Sequence, residues 1–261
     1  MSEAPPDIEA AADTLFALLG TGRTIDEPLA ERLDMPAAYA IAASVRERRE
    51  ARGERWVGRK IGFTNTTIWP LYGVTAPMWG HVYDTTLGGA GSGFALAGMA
   101  EPRIEPEIVF GLRAAPRPGM DQAELLACID WIAPGFEIVQ SVYPAWRFTL
   151  AEATAAFGLH GALLLGGRRS VPDAETLAGF SVTLRRDGVH VADGAASFVL
   201  GGPLEALRFL VEAVDGTRYP LRPGEVVTTG TLTDAQPAYP GTRWTADFRG
   251  LGLPRLELDL E

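Results

Sequence analysis

The stretch "EPRIEPEIVFGL", Glu101 to Leu112, places Glu101, Glu105 and Glu107 directly before an almost wholly apolar run. A period of two sorts it: Ile104, Pro106, Ile108 and Phe110 fall on one side, and Glu101, Arg103, Glu105 and Glu107 on the other. That alternation predicts a β-strand, with Pro106 marking an edge or a bulge. Glu105 and Glu107 then stand roughly 7 Å apart along one face, at about 3.3 Å of rise per residue. If their carboxylates converge to about 4 Å, they repel by roughly 4 kcal/mol at an effective dielectric near 20. Three arrangements relieve this: a solvated face with Arg103 as a neutralising neighbour, one acid held protonated, or a cation between the two.

The same strand grammar begins at Trp56, where "RWVGRKIGFT" alternates, and continues with Gly and Pro punctuating short apolar runs. Strands are expected at Ile108–Leu112, Phe136–Val139, Ala162–Leu165, Phe180–Leu184, Ser197–Leu200, Val226–Thr229 and Leu256–Leu260. Two helices interrupt them, "MDQAELLACIDWI" with Asp121 and Glu124 as a capping box, and "PLEALRFLVEAV" from Pro203 to Val214. Before residue 56 the chain reads as helical, over Ile8 to Leu19 and from a cap at Asp34 to about Arg52. The pattern predicts an α+β chain: a mixed, rolled or barrel-like β core over 56–261, carrying an N-terminal helical segment over 1–55 as part of one structural unit.

The balance of charged residues, a formal −10 over 261 residues, excludes a nucleic-acid partner, because phosphate binding needs a concentrated basic surface. The one basic run, "RERREARGER" at Arg46 to Arg55, has glutamates interleaved and reads as a solvated helix face. Cys128 is the single cysteine, which leaves no disulfide framework and no thiolate zinc cluster. The opening "MSEAPPDIEAAADTL" has acids and prolines where a secretory leader needs a basic start, and no run is long and apolar enough to span a membrane. No membrane partner is expected, and the expected location is the cytoplasm.

Glu137, in "IDWIAPGFEIVQS", stands within Phe136, Ile138 and Val139. A lone acid in an apolar strand is costly unless it is paired or bound to metal. Three carboxylates without a convenient His or Cys describe an oxygen-only site, which suits Mg²⁺ or Mn²⁺ better than zinc. Lys60, in "GRKIGFTN", reads either as a snorkelling lysine or as a charge partner and proton carrier beside such a site. Weaker features carry no chemistry. "GGAGSG" (88–93) lacks the setting of a phosphate loop, no Gly-x-Ser-x-Gly elbow occurs, and Cys128, Tyr143 and Trp146 read as packing.

Together, "GRKIGFTN", "EPRIEPEI" and "GFEIVQS", in this order and at these separations, resemble the 2-keto-4-pentenoate hydratase family of the fumarylacetoacetate hydrolase superfamily. The resemblance continues through "ASFVLGGPLEALRFLVE", "LRPGEVVTTGTLT" and "FRGLGLPRLEL". It implies that superfamily's mixed β-roll, with Glu105, Glu107 and Glu137 as ligands of Mg²⁺ or Mn²⁺ and Lys60 beside them. It also implies that Asp84, in "GHVYDTT", lies near the substrate, and that Thr229, Gly230 and Thr231 approach the substrate's carboxylate end. The implied activity is a hydro-lyase of aromatic-compound catabolism. It adds water to a small 2-hydroxy-2,4-dienoate or 2-oxo-4-enoate to give a 4-hydroxy-2-oxo acid, in a homo-oligomer.

One stretch departs from the family pattern. "TAAFGLHGALLLGG" has Ala156, Phe157 and Leu159 where the family carries a polar Asp-Asn-Ala-Ser stretch, and His160 follows as either a replacement proton carrier or a packed residue. This leaves open decarboxylation of an oxalocrotonate-like acid, or hydrolysis of a C–C bond, at the same site. A non-catalytic metal-binding homologue is the third reading, and retention of Glu105, Glu107, Glu137 and Lys60 counts against it.

Overall fold

Asp7 and Asp34 accept hydrogen bonds from Ala10 N and Ala37 N, and so start the helices α1 (Ile8–Leu18) and α2 (Met35–Ala51). The computed structural model describes residues 6–261, so the first five residues of the expected 1–55 segment, and the start of the stretch read for a leader, lie outside it. The apolar sides of these helices, Ala11, Ala12, Leu15, Ala38, Ile41 and Val45, bury against Val142, Tyr143, Ala151 and Ala155.

The chain continues through β1 (Trp56–Gly62), α3 (Trp69–Tyr72), β2 (Met78–Tyr83), β3 (Leu87–Gly89), β4 (Arg103–Leu112), α4 (Gln122–Ala127) and β5 (Ile129–Val139). Next come α5 (Leu150–Ala155), β6 (His160–Leu165), α6 (Ala174–Gly179), β7 (Ser181–Arg186), β8 (Val189–Ala195) and α7 (Pro203–Val214). Strands β9 (Val226–Thr228), β10 (Gln236–Pro237), β11 (Arg243–Arg249) and β12 (Leu256–Asp259) complete it. One mixed sheet has the order β2-β1-β9-β4-β5-β6-β3, with β10 on β4, and a second runs β12-β11-β7-β8. The main core fills the space between them and α7, with Trp244, Phe110, Phe136 and Phe180 fully buried. This is the expected α+β roll.

Three local expectations are corrected. The helix expected over Met120 to Ile132 stops at Ala127, because Ile129–Val139 pairs along its length with β4, from Ile129 opposite Leu112 to Val139 opposite Arg103. A ladder of that length outweighs the weak helical preference of the segment. Ser197–Leu200 is no strand: Ala196–Phe198 forms a 3₁₀ turn, and positive φ at Leu200 (54°) and Gly201 (91°) then reverses the chain. Pro106 lies in neither an edge strand nor a bulge. Its strand sits between β9 and β5, but β9 pairs only with Val109 to Gly111, so the missing N–H falls beyond that ladder.

Candidate metal centre

Strand pairing brings the carboxylates together. In the β4–β5 ladder Glu105 lies opposite Glu137 and Glu107 opposite Gly135, so two acids of one strand and one of its neighbour share a face. One oxygen from each of Glu105, Glu107 and Glu137 lies within 4.8 Å of the others. Glu107 and Glu137 are fully buried, while Glu105 keeps partial exposure at the opening of a cleft.

Each acid is held differently. Glu107 Oε2 accepts from Gly230 N at 2.8 Å and from the Thr228 hydroxyl, leaving Oε1 buried without a partner. Gly230 is required here: its φ is 98°, and a Cβ would stand 1.8 Å from Thr64 Oγ1. Glu137 Oε1 accepts from His160 Nδ1 at 2.7 Å, and Oε2 lies 3.3 Å from Lys60 Nζ. The second contact is an ion pair without hydrogen-bond geometry, so the Oε2 lone pairs stay free. Lys60 Nζ donates instead to Gly158 O at 2.9 Å. That carbonyl is aimed by a left-handed turn, Phe157, Gly158 and Leu159, with φ of 60°, 61° and 62°. His160 Nε2 lies 2.9 Å from Thr86 Oγ1. A neutral ring that donates from Nδ1 and accepts at Nε2 satisfies both contacts.

The electrostatics follow from burial without enough positive charge. Burial pushes Glu105 up to about 8, against the pull of Lys60 and with the repulsion of Glu137. Burial, then Glu137 and Glu105, holds Glu107 well above the carboxylate range. Burial also acts on Glu137, but Lys60 and the His160 hydrogen bond reverse it, and Glu137 is lowered. Lys60 is raised, since the three carboxylates outweigh its burial, and burial lowers His160 despite Glu137.

For a group raised in the fold, stability is present below the unfolded value and is lost as pH rises through the folded one. Glu105 therefore makes the metal-free protein less stable as pH climbs from 4.5 toward about 8, and Glu107 acts in the same direction. Glu137 acts oppositely and only on the acid side, its contribution fading as pH falls through its lowered value. The expected result is a lower melting temperature at about pH 9 than at about pH 6 in chelator, and recovery with excess Mg²⁺. A melting temperature that climbs over this range in chelator contradicts the assignment of the raised groups.

The donor set fits a hard divalent cation. It is oxygen-only, two of its buried oxygens lack partners, and the one imidazole nearby turns to a carboxylate rather than into the cluster. Ile61, Phe63, Met78, Val139 and Leu159 line the cleft beside Lys60, Glu105 and Thr231. At its mouth Arg103 donates to the Tyr72 hydroxyl at 2.7 Å and stacks over Trp146 at 4.1 Å.

The expected site residues sort into two groups. Lys60, Glu105, Glu107, Glu137 and His160 come together, and Thr231 lines the cleft. Asp84 does not join them: its carboxylate accepts from Arg55 N and Nε, both at 3.0 Å, at a partly exposed corner. Thr229 spends its N–H and its hydroxyl on Ile108 O, and the Gly230 N–H donates to Glu107 Oε2. Trp146, read from sequence as packing, lines the cleft. Thr86, Thr228 and Gly158 lie inside the quoted stretches "GHVYDTT", "LRPGEVVTTGTLT" and "TAAFGLHGALLLGG", but nothing in those stretches marks their contacts with His160, Glu107 and Lys60.

No protein-family model matches the chain. It is 31% identical over 251 residues to a 2-hydroxyhexa-2,4-dienoate hydratase of Comamonas testosteroni, covering 94% of this chain and 95% of the relative. It is 30% identical over 259 residues to a 2-keto-4-pentenoate hydratase of Paraburkholderia xenovorans, covering 98% and 96%. Among solved structures, 4-oxalocrotonate decarboxylase from Pseudomonas putida G7, complexed with magnesium and adipate, matches with a TM-score of 0.89 at 26% identity, covering 100% of both chains. Fumarylpyruvate hydrolase from Pseudomonas aeruginosa, in complex with Mn²⁺ and pyruvate, shares the fold, with a TM-score of 0.61 at 15% identity over 77% of this chain and 88% of its own. Identity of this extent over nearly the whole length, on this fold, establishes that the chain belongs to the 2-keto-4-pentenoate hydratase family of the fumarylacetoacetate hydrolase superfamily.

Proposed function

We propose that this protein is a divalent-metal-dependent hydro-lyase that adds water to a 2-hydroxy-2,4-dienoate or 2-oxo-4-enoate, giving a 4-hydroxy-2-oxo acid. The observation that carries this reading is the placement of Glu105, Glu107 and Glu137 at one end of an apolar cleft, with Lys60 among them. Bound Mg²⁺ or Mn²⁺ would supply Lewis-acid polarisation of the substrate's 2-oxo carboxylate end. Glu105, Glu107 and Glu137 would hold that ion. Lys60 keeps a positive charge beside the developing enolate and can hold or pass a proton at Nζ. Phe63, Met78 and Leu159 line the apolar part of the cleft, where the carbon tail would lie. His160 is a positioning residue, since it touches Glu137 and not the cleft. Asp84, engaged by Arg55, is left out of the assignment.

A decarboxylase is the second reading, favoured by the match to 4-oxalocrotonate decarboxylase, whose bound adipate is a dicarboxylate. Among the described residues Lys60 is the one cation lining the cleft, and Arg103 at its mouth gives one N–H to Tyr72 and stacks on Trp146 without an acidic partner, so a second carboxylate at that mouth is what separates the two readings. Stripped protein reloaded with Mg²⁺ or Mn²⁺ is offered 2-hydroxypenta-2,4-dienoate and its dicarboxylate analogue, followed by dienol absorbance and product mass. Gain of water on the first substrate is expected. Loss of CO₂ from the second, without hydration of the first, overturns the hydratase reading.

His160→Phe is expected to weaken Mn²⁺ binding by about 10–100-fold, as loss of an outer-shell partner of a ligand does. Calorimetric titration with Mn²⁺ reads this directly, and unchanged affinity removes the positioning role. The division into a helical segment, 1–55, and a β-rich catalytic unit, 56–261, belongs to the same proposal. So do assembly as a homo-oligomer, tested by native mass, and work in the cytoplasm. Among the described residues no helix is long and apolar enough to cross a membrane.

A further inference from the structure

On β2, Trp79, His81 and Tyr83 share the face of Arg59, whereas Lys60 pairs with Gly80 and faces the carboxylates. On the Arg59 side, between α2, β2 and the end of α7, lies a second cavity of about 210 Å³. Its walls are rings. Tyr39 stacks on Trp79 with centroids 5.2 Å apart, and His81 stands edge-on to Trp79 at 5.4 Å and to Tyr219 at 5.5 Å. A dry cavity of about 150 Å³ already accepts benzene, so this one has room for a single ring with a small substituent.

Two polar groups in the wall have capacity to spare. His81 is 9% exposed, and its Nε2 has no hydrogen-bond partner among the described residues. The Tyr39 hydroxyl accepts from Trp79 N at 3.3 Å, which leaves its own proton to donate. Burial and the charges of Arg59, Arg46 and Arg49 keep the imidazole neutral. Those arginines are themselves matched, Arg46 by Glu50, Arg49 by Glu54 and Arg59 by Glu225, and Arg218 at the wall pairs with Glu47. Among the described residues the surroundings thus offer no free cation for an anionic ligand, and suit a neutral ring with one group that can both give and accept a hydrogen bond.

We propose that this cavity is a binding site for a monocyclic phenol, its ring among Tyr39, Trp79, Tyr219 and Phe157 and its hydroxyl at His81 and Tyr39. The site is separate from the metal cleft, though one turn reaches both: Phe157 is in this wall and Leu159 in the other.

The test is titration of the Mg²⁺-loaded protein with 4-fluorophenol, followed by its fluorine resonance. Saturable binding at one site is expected, with fluorobenzene weaker. Ala43→Trp, which projects an indole from α2 into the cavity, and His81→Phe, which keeps a ring but removes the nitrogens, should each weaken binding at least about tenfold. Leu159→Phe, in the metal cleft, should leave it unchanged. Absence of saturable binding overturns the proposal, as does equal binding of fluorobenzene. So does binding lost in Leu159→Phe but kept in folded His81→Phe, which would put the phenol in the metal cleft.

Discussion

Glu107→Gln is expected to raise the melting temperature of the metal-free protein while abolishing its response to Mg²⁺ or Mn²⁺. Glu107 is fully buried, and burial together with Glu137 and Glu105 resists its ionisation. An amide of the same shape retains an acceptor for Gly230 N and Thr228 and needs no proton to be buried. The expected gain without metal is about 1–3 kcal/mol near neutral pH, since the parent must take up a proton at Glu107 on folding and the amide need not. With metal the sign reverses. A lost ligand should cost more than the roughly 10–100-fold in affinity that loss of an outer-shell partner costs. Melting curves with chelator and with excess Mg²⁺, beside Mn²⁺ titration, measure both effects. A variant that binds metal and turns over normally removes Glu107 from the site.

Lys60→Met should act in the opposite direction on stability. Its ammonium, 2% exposed, lies 3.3 Å from Glu137, and its charge is the main influence that brings the Glu137 carboxyl below its ordinary value. Removing one partner of a buried pair leaves the other charge uncompensated, at about 3–5 kcal/mol. If Lys60 also handles a proton, turnover should drop by about 10²–10⁴-fold in the metal-loaded enzyme. These effects separate in the double variant Lys60→Met with Glu137→Gln, which should recover much of the stability and none of the activity. A Lys60→Met protein that melts as the parent does, and turns over at the parental rate, contradicts both roles.

Within single segments the sequence was a sufficient guide wherever covalent geometry sets the relation. Glu105 and Glu107 are two residues apart on an extended chain, so they share a face whatever packs against it. Asp7, Asp34 and Asp121 cap helices through hydrogen bonds to residues three positions on, and α7 spans the expected Pro203–Val214. What lies between segments was set by register and packing. Glu137 meets Glu105 because β5 pairs with β4 in one alignment, and a slip of one residue would point it to the opposite face. Asp84 had an equally suggestive neighbourhood in sequence, but Arg55, brought alongside by the β1–β2 ladder, holds its carboxylate elsewhere. Trp146 and the left-handed turn at Gly158 carry no sign of their roles along the chain, since those depend on Arg103 and Lys60, many residues away. Residue order and spacing therefore determined the strand faces, the helix starts and the acids able to hold a metal. Only the tertiary structure decided which of those acids meet and which side chains close the cleft, because contacts between distant segments depend on pairing registers that no local spacing encodes.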